Sequence, residues 1–145
     1  MATSAKWEVG AFNSSMTGVS TSLGIDTSAL TIVSTVQATG LFLFADILVD
    51  MDSDTSFTPG DVILDVYILR TLDSKEEDAE ATAAPILPPD AKVGSIIAIT
   101  AGPVQGIIRM VDLPPYEFKF LVHNRHSAVL SAFTIGYLPY RYQSV

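Results

Sequence analysis

From Leu113 to Tyr142 the chain alternates apolar and polar positions with the two-residue period of a β-strand, breaks at a turn, and alternates again. Tyr116, Phe118, Phe120 and Val122 fall on one face, and Glu117, Lys119, Leu121 and His123 on the other. This predicts a strand with one buried side and one mostly wet side. Pro114 and Pro115 cannot donate to a ladder, so they mark where the strand begins. Ser131–Tyr142 predicts the strand that follows, with Phe133, Ile135 and Tyr137 on its buried face.

The same period recurs upstream between clusters of Gly, Pro, Ser, Thr and Asp. Lys6–Phe12 sets Trp7, Val9 and Ala11 against Lys6, Glu8 and Gly10. A short strand is expected at Val19–Ile25 and another at Leu30–Gln37. Leu41–Met51 starts apolar on both faces, the mark of a central strand covered on both sides. Pro59-Gly60 makes a turn. Val62–Thr71 then places Val62, Leu64, Val66 and Ile68 inward and Asp65 opposite. Val93–Thr100 and Gly106–Val111 predict two more strands, joined by Ala101-Gly102-Pro103. No stretch carries a sustained three-four apolar spacing between good caps. In Asp73–Lys92 any helix over Lys75–Ala84 is stopped by Pro85, Pro88 and Pro89, which leaves a long acidic, proline-rich surface loop or projecting arm. The expected fold is all-β: one β-sandwich domain over 1–145, jelly-roll-like, with seven to nine strands and a flexible N-terminal arm at 1–5.

Composition narrows the function classes. At 48% hydrophobic residues the chain can bury a core and is not disordered. No apolar run reaches the roughly 18 residues of a membrane helix, and the first residues lack the basic-then-apolar pattern of a signal peptide. No membrane partner is expected. There are no cysteines, so disulfides, thiolate metal sites and cysteine nucleophiles are excluded. The net charge of −8 argues against a nucleic-acid partner, because phosphate binding draws on Lys and Arg. Eleven of the sixteen acids lie between Asp46 and Glu80, where a solvated acidic rim is expected.

One acidic run tests for a cation. Asp50-Met-Asp52-Ser-Asp54-Thr-Ser56-Phe-Thr58-Pro-Gly-Asp61 offers oxygens at spacings that suit calcium, with Asp50, Asp52, Asp54 and Asp61 as candidate ligands. Thr55 stands where a sharp turn wants Gly, and strands rather than helices flank the run, so it is no EF-hand. A solvated loop is the competing reading, and no other cofactor is indicated. His123 and His126 straddle a turn with no third ligand near in sequence, short of a zinc set. There is no Gly-x-Ser-x-Gly elbow, phosphate-cradling loop or dinucleotide fingerprint, so no enzyme is expected. Tyr140, Arg141 and Tyr142 near the C-terminus, with Ala2, Lys6 and Trp7 near the N-terminus, are candidate interface residues, since Tyr, Trp and Arg concentrate at contact surfaces.

Two segments resemble small phage virion proteins that decorate or cement a capsid. Asp65-Val-Tyr-Ile-Leu-Arg-Thr-Leu-Asp-Ser-Lys-Glu-Glu-Asp78 is similar to that family's strand ending in a Tyr-Leu-Leu run, followed by Asp-Gly and an acidic loop. Leu113-Pro-Pro-Tyr-Glu-Phe-Lys-Phe-Leu-Val-His-Asn124 is similar to its Leu-Pro-Pro-Gly strand, in which Phe or Tyr precedes Lys and Asn closes the run. Ser74 and Tyr116 replace the family's glycines, and Arg125-His126-Ser127 occupies a turn where Asn-x-Thr-Gly is common. The resemblance covers roughly the C-terminal half. It implies a jelly-roll-like subunit on a virion surface, assembled in the host cytoplasm, that bridges neighbouring copies of the major capsid protein and associates with itself as a dimer or trimer. Met1–Ala5 and Asp73–Lys92 are the segments expected to reach neighbours. A phage tail adaptor or fibre-associated subunit is the alternative within that class. A calcium-dependent carbohydrate-binding module using Trp7 or the C-terminal tyrosines is the alternative outside it.

Overall fold

A computed structural model describes residues 5–11, 13–16, 28–31, 42–51, 57–72, 75–76, 91–114, 118–130 and 133–144. Among them no helix occurs. The strands are β1 (Ala5–Val9), β2 (Asn13–Met16), β3 (Ser28–Thr31), β4 (Phe44–Met51), β5 (Val62–Leu72), β6 (Lys75–Glu76), β7 (Lys92–Ile97), β8 (Val104–Asp112), β9 (Phe118–Asn124) and β10 (Phe133–Ser144). They form two antiparallel sheets. The first runs β1-β10-β4-β8, with β2 also on β10; the second runs β3-β9-β5-β6, with β7 also on β5.

The two extra strands are continuations, not additions. Ala5–Val9 lies against Ser144–Tyr140, the Gly10 amide donates to the Pro139 carbonyl at 2.7 Å, and Asn13 and Met16 then pair with Tyr137 and Ile135. β1 and β2 are therefore successive pieces of one edge column along β10. In the same way β7 lies along Val62–Tyr67 and β6 along Thr71–Leu72 of β5. Among the described residues each sheet is four columns wide, and the chain crosses repeatedly from one to the other.

Alternation puts the core between the sheets. Ala45, Ile47, Val49 and Met51 of β4, with Ile135 and Tyr137 of β10, meet Leu64, Val66 and Ile68 of β5 and Phe118, Phe120 and Val122 of β9 in one cluster. Phe118 and Phe120 bring their rings to 6.0 and 6.1 Å from that of Tyr137 across the gap. Such tilted and edge-on pairs add about 0.5–1.5 kcal/mol each beyond burial of the side chains. The sandwich expected from the sequence is present.

Four details differ from the sequence reading. The face of β9 expected to be mostly wet holds Leu121 and His123, which are 0% and 2% exposed. β9 sits between β3 and β5, and its outer face carries a second apolar cluster of Tyr67, Leu69 and Leu121 with Ala91 against it. Val62, expected inward, is exposed; a register shift between Val62 and Leu64 inserts Ile63, which takes the inward place instead. The segment read as a loop from Asp73 opens with β6, which folds back on the end of β5, while 77–90 lie outside the described residues. Ala5, placed in the N-terminal arm, is already the first residue of β1 and pairs with Ser144; residues 1–4 and the strand expected at Val19–Ile25 lie outside the described residues.

At one side of the sandwich the sheets close on each other. A β-carbon on Gly94 of β7 would lie 2.9 Å from Ile108 Cγ2, and one on Gly106 of β8 would lie 2.6 Å from Ile96 Cδ1. Two glycines facing two isoleucines make a seam that admits no further methyl. Gly106→Ala is expected to cost about 1–3 kcal/mol by overpacking, read as a lower denaturant midpoint. Adding Ile96→Val, which removes the obstructing Cδ1, should return part of that loss. Equal midpoints for Gly106→Ala and the parent would show that the seam is loose.

Candidate functional site

The outer face of the first sheet is built by register. Trp7 lies opposite Tyr142, Val9 opposite Tyr140, and Tyr140 opposite Phe44. These side chains share the face that points away from the core. Trp7 packs edge-on against three rings: Tyr142 at 4.9 Å, Tyr140 at 5.4 Å and Phe44 at 6.3 Å. Phe44 and Tyr140 stack at 6.0 Å. The group is ordered by its own contacts and yet open to water, with Trp7 51% and Tyr142 58% exposed.

The face continues across the sheet into aliphatic ground. Leu138 of β10, Leu48 of β4 and Ile107 of β8 line a shallow depression of about 220 Å³, with Asp46 and Arg109 at its rim. Leu48 and Ile107 are direct cross-strand partners, and Ile107 is half exposed. At the far end Gln105 donates to Asp50 at 3.1 Å.

Asp46 organises the middle of this surface. Between Ala45 and Ile47 the β4–β8 register slips, so that Arg109 and Met110 together oppose Asp46. Met110 takes φ 53°, a left-handed conformation that few non-glycine residues adopt. The Asp46 carboxylate accepts the Met110 amide at 3.0 Å and the Tyr140 hydroxyl at 3.1 Å, both on Oδ1. Loss of water around Tyr140 raises its pKa above the ordinary tyrosine value, and the hydrogen bond to Asp46 raises it further.

Of the residues expected at an interface, Trp7, Tyr140 and Tyr142 come together here. Arg141 does not. It alternates to the other face, donates from Nε to Glu8 at 2.6 Å and lies 5.8 Å over the Phe42 ring. Lys6 is exposed and alternates away from Trp7, and Ala2 lies outside the described residues. Of the candidate calcium ligands, Asp52 and Asp54 lie outside the described residues, Asp50 is engaged by Gln105, and Asp61 stands in the turn before β5. Among the described residues no three or more His, Cys, Asp or Glu side chains gather as a metal site. His126 accepts the Ala128 amide at 3.3 Å and meets Phe57 edge-on, as a turn residue. Phe44, Asp46, Leu48, Ile107, Arg109 and Leu138 were not singled out from the sequence. The available signal was the second apolar face of Leu41–Met51.

A polar group occupies the outer face of the second sheet. Asp65, 5% exposed, accepts Ser95 Oγ at 2.6 Å, pairs with Lys92 Nζ at 2.8 Å and faces Arg125 Nε at 3.7 Å. It lies directly opposite His123 in the ladder. Burial raises the Tyr67 pKa, and the nearby Asp65 charge adds to the rise. With donors arriving from β7 and from the turn after β9, Asp65 is a pin between strands rather than an acid open to a substrate.

Comparison with protein families, with curated proteins and with solved structures found no match.

The raised pKa values carry a sign. A tyrosine whose folded pKa exceeds its unfolded value contributes stability that is complete below the unfolded pKa and is lost as pH rises through the folded one. Ultraviolet titration of tyrosinate should therefore find Tyr67 and Tyr140 ionising above the ordinary range near pH 10. Tyr140→Phe should remove one late step, and Asp46→Asn should bring that step earlier. A Tyr140 step left in place by Asp46→Asn would contradict the Asp46 contact.

Proposed function

We propose that this chain is a structural protein of a phage virion, which decorates or cements the capsid by surface-to-surface contact and acts without catalysis. The observation that carries the reading is the outer face of the first sheet. Large exposed apolar patches on a folded domain mark interaction surfaces, and this one combines Ile with Trp, Tyr and Arg, the last three being the residue types in which contact energy concentrates. A subunit whose task is adhesion needs such a face and a rigid sandwich behind it.

Two further observations support the virion class. The strand succession, with the chain alternating between two four-column sheets in the orders described above, supports the expectation of a double-sheet jelly roll, an architecture used by viral capsid and lectin domains. The two segments that resemble virion proteins are also neighbours in space: Leu64–Arg70 of β5 pairs with Asn124–Phe118 of β9 at the centre of the second sheet. The resemblance thus falls on one paired unit of the fold. In this reading the mechanism is mechanical. Each copy contributes a modest contact to neighbouring shell subunits, and repetition over the shell multiplies it by avidity.

The lectin reading draws on the same half-exposed Trp7 and Tyr142. Their rings are nearly perpendicular, at 82°, which makes a corrugated surface rather than a flat platform for a sugar ring. A glycan array run with and without a calcium chelator is expected to stay silent.

The decisive test is stoichiometry on purified particles. Particles stripped of this protein and re-exposed to it are expected to take it up to a copy number on the scale of the whole shell. Uptake limited to the number of subunits in a tail ring would move the protein to the tail. No uptake, and no copies on untreated particles, would sink the virion reading.

A further inference from the structure

The outer face of the first sheet carries charge as well as rings, and the sign of that charge narrows what covers it. The register sets the face out in rows across the strands. Val9, Tyr140, Phe44 and Asp112 share one row, on β1, β10, β4 and β8. Leu138 and Asp46 follow, then Leu48 and Ile107, then Asp50 and Gln105. The carboxylates of Asp112, Asp46 and Asp50 thus share the face with a single base, Arg109. The surplus is negative, and it lies beside rings rather than in a solvated loop.

The carboxylates differ in what they offer a partner. Asp50 is engaged by Gln105 at 3.1 Å. Asp46 holds the Met110 amide and the Tyr140 hydroxyl on Oδ1, and no hydrogen bond among the described residues falls on its Oδ2. Asp112 is exposed and forms no ion pair among the described residues. Arg109 does not cancel the negative field at the rings. Loss of water is the main reason the Tyr140 pKa is raised, and the charge of Asp46 raises it more than the charge of Arg109 lowers it.

We infer that this face takes an arginine-bearing segment of the partner's surface, its guanidinium laid on the Phe44 ring and forked to Asp112, and a neighbouring aliphatic side chain seated in the Leu48–Ile107–Leu138 depression. Phe44 and Asp112 are direct cross-strand partners, so their β-carbons stand about 5 Å apart. The row places Tyr140 and Asp112 on opposite sides of Phe44, and Tyr140 stacks with it at 6.0 Å. A guanidinium stacks on a ring and forks to a carboxylate at once, which an ammonium cannot do. The chain makes the same arrangement once internally, where Arg141 lies 5.8 Å over Phe42 and donates to Glu8 at 2.6 Å. The depression is lined by Asp46 and Leu48, two and four residues past Phe44 on the same face, or about 7–14 Å along the strand. Side chains two residues apart on an extended segment are about 7 Å apart, so one segment reaches both places. A second copy of this chain does not suit the face, because it would set the same carboxylates against these.

The inference rests on the reading of this face as the interaction surface of a virion protein, and it is tested in solution without particles. The probe is the capped peptide Leu-Thr-Arg-Thr-Leu. Its control carries citrulline, the uncharged isostere, in place of arginine. In a heteronuclear magnetic resonance titration of the full chain at low salt, the arginine peptide is expected to shift the Trp7 indole and the Phe44 and Asp112 amides saturably, and the control to shift them little. Added salt should weaken the binding. Asp112→Asn, at an exposed position, should raise the dissociation constant by about two- to fivefold, with an unchanged circular dichroism spectrum. Equal shifts from the two peptides, shifts confined to other faces, or an affinity indifferent to Asp112→Asn would overturn the inference. A chain that ignores the arginine peptide and still saturates stripped particles would overturn it while leaving the virion reading intact. A chain that binds the peptide as expected and is never carried by particles would do the reverse.

Discussion

The pairing of β5 with β9 is the constraint on which the rest of the structure depends, because it is buried on both faces. Its inner side supplies Leu64, Val66, Phe118, Phe120 and Val122 to the core. Its outer side is closed as well, and an acid there must be satisfied by the protein. Asp65 is satisfied by Ser95 and Lys92 of β7 and faces Arg125 beyond β9. These bonds fix β7 on the edge of β5. With β7 fixed, Gly94 and Gly106 allow the isoleucines of the facing strands to close the seam with β8. The position of β8 then depends on an ion pair on the far side of the molecule.

Strain at β8 follows from that closure. Its register along β4 slips at Met110, where a left-handed backbone costs roughly 1–2 kcal/mol for a residue with a β-carbon. The Asp46 carboxylate offsets part of this by accepting the displaced amide. A bulge bends and twists an edge strand, which keeps it from templating further strands. Here it also turns Arg109 toward the outer face and leaves Asp46 able to hold the Tyr140 hydroxyl. A single carboxylate thus couples the blunting of an edge to the placement of the aromatic surface.

How far the sequence disclosed this can be judged from particular residues. The two-residue period located β4, β5, β8, β9 and β10 because each is long enough to show alternation. Period alone does not say which face is inside. Trp7 and Val9 alternate with Lys6 and Glu8 as a buried edge strand would, yet pairing with Tyr142 and Tyr140 turns them outward. Val62 lost its inward place to the one-residue insertion at Ile63, and a slip of that kind leaves no mark in a pattern of residue types. Leu121 and His123 looked wet because the sequence alternates them in step with Glu117 and Lys119; only the position of β9 between two strands makes them buried. Asp46 had no local signature at all. Its partners are 64 and 94 residues away.

The Asp50–Asp61 run illustrates the difference between a spacing and a site. Read along the chain, its oxygens fall at intervals that suit a hard cation. In the fold, Asp50 stands one residue before the end of β4 and directs its carboxylate toward Gln105, 55 residues on, so at least one oxygen of the set is directed across the sheet. The surface that does gather chemistry is built the other way, from residues spread over four strands that no window of sequence contains. Its members are chiefly rings and aliphatic carbons, with Asp46 held by the Met110 amide and the Tyr140 hydroxyl, which favour exclusion of water over the binding of an ion or the movement of a proton. The negative charge of the chain is concentrated between Asp46 and Glu80, and the exposed apolar face carries Asp46, Asp50 and Asp112 beside Arg109. Contact at this face draws on its rings and aliphatic side chains, and its carboxylates discriminate among the partners that approach it.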